Sequence, residues 1–323
     1  MKKILFILPV IALFIVISGE THAEQGLAWP EPTYHRNVTV NGHNIFYRES
    51  GNPSNPTILF LHGYPSSSHM YRHLIPLLSG TYHIVIPDNL GSGYSDKPDP
   101  NKHPYTFDLL ADVMTGFVEQ LELDEYTLYM QDFGAPVGFR LMMNQPDRLN
   151  GLISQNGNAY LEGLTPPRQQ FFKRAHEDKS PQMLQTLFDF TGLHGIRDKQ
   201  YLRDVAGKEE IMSPDSWTHD LHFLQTTEQR LIQVQLLQDY YNNLLAYPQW
   251  QAFLAKEKPP TLLVWGKNDP AFIAKGAEAF LKDVPEADLY LIDAGHFAME
   301  EKPVEIAKHI LRFMSTSAAS KSQ

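Results

Sequence analysis

No cysteine occurs among the 323 residues, which excludes disulfides, thiolate nucleophiles and cysteine-bound metals. Basic residues are also few: 27 Lys and Arg stand against 37 Asp and Glu, a formal charge of −10. No cluster of them offers a footprint for nucleic acid. Long apolar runs are missing apart from one, Ile4–Ile17, which follows Met1-Lys2-Lys3 and precedes Thr21-His22-Ala23. At 14 residues, with Pro9 inside it, this run falls short of the ~20 residues that cross a bilayer. Its charged flank, apolar middle and small-residue site match a cleavable signal. The expectation is a signal peptide over residues 1–23, a mature start near Glu24, a secreted or periplasmic address and no stable membrane association afterwards; an uncleaved anchor is the alternative. Loss of Lys2, Lys3 and Glu20 leaves 25 basic and 36 acidic side chains. A chain of this length buries enough apolar surface to do without covalent staples.

Short apolar runs are abundant. Asn37–Arg48 alternates around Asn41-Gly42, a hairpin signal. Thr57–Leu61, His83–Ile86, Tyr126–Met130, Gly151–Ser154, Thr261–Trp265 and Asp288–Ile292 each read as a buried strand. Helical periodicity occupies Phe107–Leu121, Ala274–Lys282 and Val304–Phe313. Strands alternating with helices predict an α/β fold, a mostly parallel sheet covered on both faces. The alternation breaks over residues 159–255, where aromatic-rich helical segments (Arg168–His176, Met183–Leu187, Gln229–Leu245) occur without clear strands. This predicts a core over 24–158 and 256–315, a helical cap inserted between its two parts and lying over the edge where strands end, and a polar tail over 316–323.

Asp132 stands in Tyr129-Met130-Gln131-Asp132-Phe133-Gly134-Ala135, between a strand and a helix. A strand-turn-helix elbow projects its central residue above the sheet, and small residues at Gly134 and Ala135 let the helix start close to the strand. The helix N-terminus favours an ionised carboxylate there, although an aspartate at such a position also serves as an ordinary N-cap. Met130, two residues before, is larger than elbows usually carry. Downstream come Asp269, in Trp265-Gly266-Lys267-Asn268-Asp269-Pro270, and His296, in Asp293-Ala294-Gly295-His296-Phe297. The order nucleophile, acid, histidine suggests a triad, with Asn156 and Asp293 as substitutes for the acid. A carboxylate attacking a saturated carbon makes an ester, which histidine-activated water cleaves; a serine would make an ether, which water does not. The string His62-Gly63-Tyr64-Pro65 after Thr57–Leu61 offers the Tyr64 amide, with that of Phe133, as an oxyanion hole. His62 reads as a loop-shaping residue, and Asp88–Ser95 as a structural turn without the lysine of a phosphate loop. His219 and His222 flank Asp220 without a third ligand at a convincing spacing. No cofactor or metal is called for.

These four motifs resemble the α/β-hydrolase superfamily in its aspartate-nucleophile branch of epoxide hydrolases and haloalkane dehalogenases, over roughly Val38 to Phe313. The resemblance implies a covalent alkyl-ester enzyme acting on a small apolar or amphipathic organic substrate. His62-Gly63-Tyr64-Pro65 matches the epoxide-hydrolase form of the loop. The tryptophan that follows the nucleophile in haloalkane dehalogenases is Phe133 here, and the asparagine often found in their oxyanion loop is Tyr64; Trp217 is a conceivable substitute halide donor. The arginine that follows the nucleophile in fluoroacetate dehalogenases is absent. Epoxide hydrolases use cap tyrosines as proton donors, and Asp239-Tyr240-Tyr241-Asn242-Asn243 resembles their tyrosine segment, with Tyr241 aligning best and Tyr160 or Tyr201 as the second. Tyr160, Tyr240 and Phe297 are expected substrate contacts. Hydrolysis of an epoxide to a diol leads; dehalogenation and a non-catalytic binding role on the same fold are the alternatives, and an acyl esterase is disfavoured because it would pass through an anhydride.

Overall fold

The computed structural model describes residues 31–205 and 207–321, with side chains to Thr316. The expected signal peptide lies outside the described residues.

Eight strands form one sheet: β1 (Tyr34–Val40), β2 (His43–Ser50), β3 (Thr57–Leu61), β4 (His83–Pro87), β5 (Tyr126–Gln131), β6 (Leu149–Gln155), β7 (Thr261–Gly266) and β8 (Asp288–Ile292). Their order is β1-β2-β4-β3-β5-β6-β7-β8. The first two pair antiparallel through the Asn41-Gly42 turn, where both residues have positive φ, 52° and 82°, as a tight hairpin turn requires. β2 pairs antiparallel with β4, and from β4 to β8 every pairing is parallel. The strand carboxyl ends therefore share one edge, where ligands of open α/β sheets gather.

Because side chains alternate along a strand, the central strands feed two cores. Leu59, Leu61, Leu128, Met130 and Trp265 join the helices Phe107–Gln120 and Gly134–Asn144 on one face, while Ile58, Phe60, Tyr129 and Val264 join the helix Pro303–Lys321 on the other. Near-continuous apolar runs are what a sheet buried on both faces needs.

The insertion between β6 and β7 is helical: Pro166–Glu177, Pro181–Phe190, Pro214–His222 and the 31-residue Thr227–Glu257, with a π-helical stretch at His194–Tyr201. Thr165, Ser180, Ser213 and Thr226 cap the four α-helices with side-chain hydrogen bonds. The last helix continues to Lys321; the polar stretch 316–323 contains neither Gly nor Pro, so nothing in it ends the helix.

Candidate active site

Each functional side chain sits just past a strand end. Asp132 follows β5 in the left-handed region, φ 49°, sparsely populated except by Gly, Asn and Asp. Two glycines make room for this turn. A Cβ on Gly134 would lie 2.3 Å from the Leu61 carbonyl oxygen, and one on Gly63 would lie 2.4 Å from Asp132 Cβ. Met130 fits for a related reason: it points away from the elbow into the core, where a Cβ on Gly138 would stand 3.1 Å from its sulfur. The bulk that looked out of place is accommodated by a glycine on the neighbouring helix, and it does not line the cavity.

The Tyr64 amide donates to Asp132 Oδ1 at 2.7 Å. Phe133 heads the helix Gly134–Asn144, so its amide is one of the first-turn N–H groups without an intrahelical acceptor. His296 Nε2 lies 3.5 Å from Asp132 Oδ2, and its Nδ1 is 2.6 Å from Asp269 Oδ2. All three side chains are buried. Burial works against the imidazolium, but Asp269 and Asp132 more than offset it and push His296 up to about 9. Burial likewise works against the Asp269 charge, yet His296, Arg203 and the Ala271 amide hold that carboxyl below its usual value.

Asn156, weighed as a substitute acid, braces the acid instead. At positive φ after β6, it donates to Asp269 Oδ2 at 2.8 Å and accepts from the Gly266 amide at 2.9 Å. Asp293 is an exposed partner of Lys267, 3.2 Å away. His62 shapes its loop: its Nε2 accepts from the Asn89 amide at 2.9 Å, and its Nδ1 is 3.1 Å from the Gly63 carbonyl. Asp88 ties down its own turn, accepting from the amides of Ser68 and Tyr94.

Asp132 and His296 face a cavity of about 40 Å³, little more than a water molecule's share of the liquid. The core adds Tyr64, Phe133, Ala271 and Phe272 to its lining. The cap adds the apolar Phe171, Phe172, Phe190 and Leu237 and the polar Arg168, Gln200 and Arg203. The cap thus lies over the carboxyl edge of the sheet. Other cap phenylalanines lie elsewhere: Phe188 against Arg230 and Phe223 against Tyr94.

The expected substrate contacts are placed less well. Tyr241 does not line the cavity; its ring lies 5.7 Å from that of His176 and near Lys173. Tyr240 lies directly behind the lining, its ring 4.1 Å from Phe172 and 5.4 Å from Phe133. Its buried hydroxyl lies against the Tyr247 phenol, which also accepts from Asn158 at 3.1 Å. Burial, the neighbouring Tyr247 phenol and the Asp132 carboxylate all raise its pKa. Tyr160 donates to Asp283 at 2.6 Å, away from the cavity. Phe297 packs edge-on against His296 and stacks on Tyr201, whose hydroxyl is taken by Asp220. Trp217 does not line the cavity, and His219 stacks on His69. Arg168, Gln200, Arg203 and Asp204 were not anticipated. Asp204 accepts from the His296 amide at 2.7 Å and so ties the cap to the catalytic loop.

A family model described as the alpha/beta hydrolase fold matches residues 56–303. The chain belongs to that family. This hydrolase is 39% identical over 282 residues to an uncharacterized hydrolase of Saccharomyces cerevisiae, covering 86% of this chain and 96% of the yeast protein. A haloalkane dehalogenase from Bradyrhizobium elkani superposes with a TM-score of 0.76 at 22% identity, covering 90% of this chain and all of the other. An epoxide hydrolase from Vigna radiata superposes at 0.66 and 22% identity, covering 88% and 98%. At such identities the two structures show a shared fold, and the family and relatives together make the chain an α/β-hydrolase enzyme.

Proposed function

We propose that this hydrolase attacks an electrophilic carbon with Asp132, and that its reaction is the opening of a small epoxide to a vicinal diol. The observation that carries this reading is the placement of one carboxylate between an amide donor and an acid-supported imidazole. Asp132 Oδ1 is held by the Tyr64 amide, which leaves Oδ2 as the attacking atom. Oδ2 forms a bond to the epoxide carbon, the carbon–oxygen bond of the ring breaks, and the ring oxygen takes a proton. Tyr240, which stands behind Phe172 and Phe133, is the phenol assigned to supply it through a bridging water, and the tyrosinate later recovers the proton left on the Asp132 carboxyl after hydrolysis. His296 Nε2 then removes a proton from water, whose oxygen adds to Asp132 Cγ. Oδ1 carries the negative charge of the tetrahedral intermediate beside the Tyr64 and Phe133 amides. Collapse breaks the bond between Cγ and the alkyl oxygen, the protonated His296 returns its proton to that oxygen, and the diol is released.

Dehalogenation uses the same first bond with halide as the leaving group. It is second here because none of the described tryptophans lines the cavity and the Tyr64 hydroxyl is already given to the Phe190 carbonyl, at 2.8 Å. Mixing His296→Gln protein with small epoxides and haloalkanes, then measuring intact mass, separates the readings. An adduct of full epoxide mass on Asp132 is expected. A gain of the alkyl group alone, with free halide, replaces epoxide by haloalkane; no adduct, beside a wild type that turns over none of the panel, removes the aspartate-nucleophile reading.

Export is proposed as well, on the Lys2-Lys3, Ile4–Ile17 and Ala23 pattern. N-terminal sequencing of protein recovered outside the cytoplasm should begin at Glu24; a retained Met1 there would point to an anchor.

A further inference from the structure

Two arginines face the candidate nucleophile across the cavity, and both come from the cap. Arg168 lies in the first turn of the helix Pro166–Glu177, and Arg203 follows the π-helical stretch His194–Tyr201. Neither belongs to the elbow or the loops on which the family resemblance rests. Arg203 is anchored: it donates to the Lys199 carbonyl at 3.1 Å and to Gln200 Oε1 at 3.3 Å, and its Nη2 is 3.5 Å from Asp269 Oδ1. Its buried Nε has no hydrogen-bond acceptor but stands 3.7 Å from Asp204 Oδ1, an ion pair. The half-buried guanidinium of Arg168 has neither a hydrogen bond nor an ion pair among the described residues. Guanidinium groups withdrawn from water normally have partners.

The nearby carboxylates pair with Arg203, through Asp204 and Asp269, and not with Arg168. Asp132 already receives the Tyr64 amide and faces His296. Asp269 receives Asn156, the Ala271 amide and His296. Asp204 receives the His296 amide. After burial, the strongest influence lowering the Arg168 pKa is another cation, Arg203. Asp269 and Asp132 act on Arg168 in the opposite sense, but neither carboxylate makes a hydrogen bond or ion pair with its guanidinium. Formation of the ester sharpens the imbalance, because it removes the Asp132 charge and leaves Arg168, Arg203 and His296 in place.

We propose that Arg168, assisted by Arg203, binds a carboxylate on the substrate, so that the substrate class is a short electrophile bearing an anionic group, such as an epoxy acid, rather than a plain hydrocarbon epoxide. A guanidinium fork recognises a carboxylate through two parallel N–H donors. Phe171, Phe172 and Phe190 would cover the short carbon chain. The reactive half of this proposal rests on Asp132 as nucleophile; the anion site is tested independently.

The full-length protein is first titrated with unreactive propanoate and propanamide by calorimetry. Propanoate should bind and propanamide should not, with affinity for propanoate falling roughly 10- to 100-fold in Arg168→Gln, the range of a charged hydrogen bond, and partly retained in Arg168→Lys. The second measurement is the rate of adduct formation in His296→Gln protein with glycidate against glycidamide. Glycidate should be favoured by roughly the same factor, and the ratio should fall to about one when Arg168→Gln is added. Propanoate binding that survives Arg168→Gln, or equal labelling by the two epoxides, overturns the proposal. Arg168-dependent propanoate binding without any adduct keeps the anion site and removes the nucleophile assigned to Asp132.

Discussion

The two sides of the cavity are finished differently. On the sheet side the carboxylates and the imidazole have their partners: Asp269 is held by four groups, and Asp132 by an amide and His296. On the cap side the Arg168 guanidinium makes neither a hydrogen bond nor an ion pair among the described residues, and the Arg203 Nε has only the Asp204 carboxylate, 3.7 Å away. A saturated network holds charges in one geometry and keeps the reacting atoms in place before substrate arrives. Open donors are costly in an empty site and become favourable when a ligand supplies acceptors. The sheet edge therefore reads as the part that does chemistry, and the cap as the part that chooses what the chemistry is done to.

The comparison is broken most severely by removing the acid. Asp269→Asn leaves the shape of the site but takes away the charge that supports a protonated His296. The expected loss is roughly 10²- to 10⁴-fold in the rate of ester hydrolysis. Ester formation should change far less, so a covalent adduct should accumulate in the mass spectrum. If hydrolysis and ester formation slow together, Asp269 acts on the placement of Asp132 instead.

The cap side is next. Tyr240→Phe should slow epoxide opening by roughly 10- to 100-fold, within the range of one positioned acid, whereas Tyr241→Phe should alter it less than about twofold. Pre-steady-state adduct formation is the measurement. Comparable losses in both variants would show that neither hydroxyl is the donor.

This pair also shows where reading the sequence reaches its limit. The strands were legible because they are short apolar runs, the central ones buried on both faces, and Thr57–Leu61 and Asp288–Ile292 have the same bounds in the structure. Asp132, Asp269 and His296 were legible because small residues at the turns and the order along the chain mark strand ends, and the structure brings all three together. The cap carries no such mark. The helix Thr227–Glu257 buries residues at many angles, among them Ile232, Val234, Leu236 and Tyr240, so no single apolar stripe gives its orientation. Successive helical residues point about 100° apart, and an alignment shifted by one residue carries Tyr241 from the site to the flank of His176. Arg168 had a local signal, since Thr165 followed by two prolines marks a helix start. Gln200 and Arg203 had none, because the turn that presents them is not a regular α-helix.

A stability effect tests why the elbow tolerates Met130. Gly138→Val places side-chain atoms where the Met130 sulfur already sits and should cost about 1–3 kcal/mol by overpacking. Met130→Ala alone should also destabilise, by leaving space unfilled. In combination the two losses should be less than additive, a coupling that chemical denaturation of the four proteins measures. Additive losses would mean that the two residues do not compete for the same volume.

The smallest effect is one of pH, and it ties stability to mechanism. The folded protein raises His296 from its ordinary value to about 9, so the group's contribution to stability is fully present below about 6.5 and is lost as pH rises through about 9. The stability of wild type relative to His296→Gln should decline over that interval, as equilibrium unfolding at a series of pH values would show. Asp269, whose pKa is depressed, contributes in the opposite sense: its stabilisation is present above its unfolded value and is lost as acid is added. In the covalent intermediate one of the two carboxylates that raise His296 has become an ester. The imidazole should then lose its proton at a lower pH than in the free enzyme, which readies it as a base at the stage where a base is needed. The pH dependence of adduct decay, set beside an NMR titration of His296 in the free enzyme, reads that difference directly. Equal values would mean that the Asp132 charge has little hold on the imidazole, and that Asp269 alone sets its proton affinity.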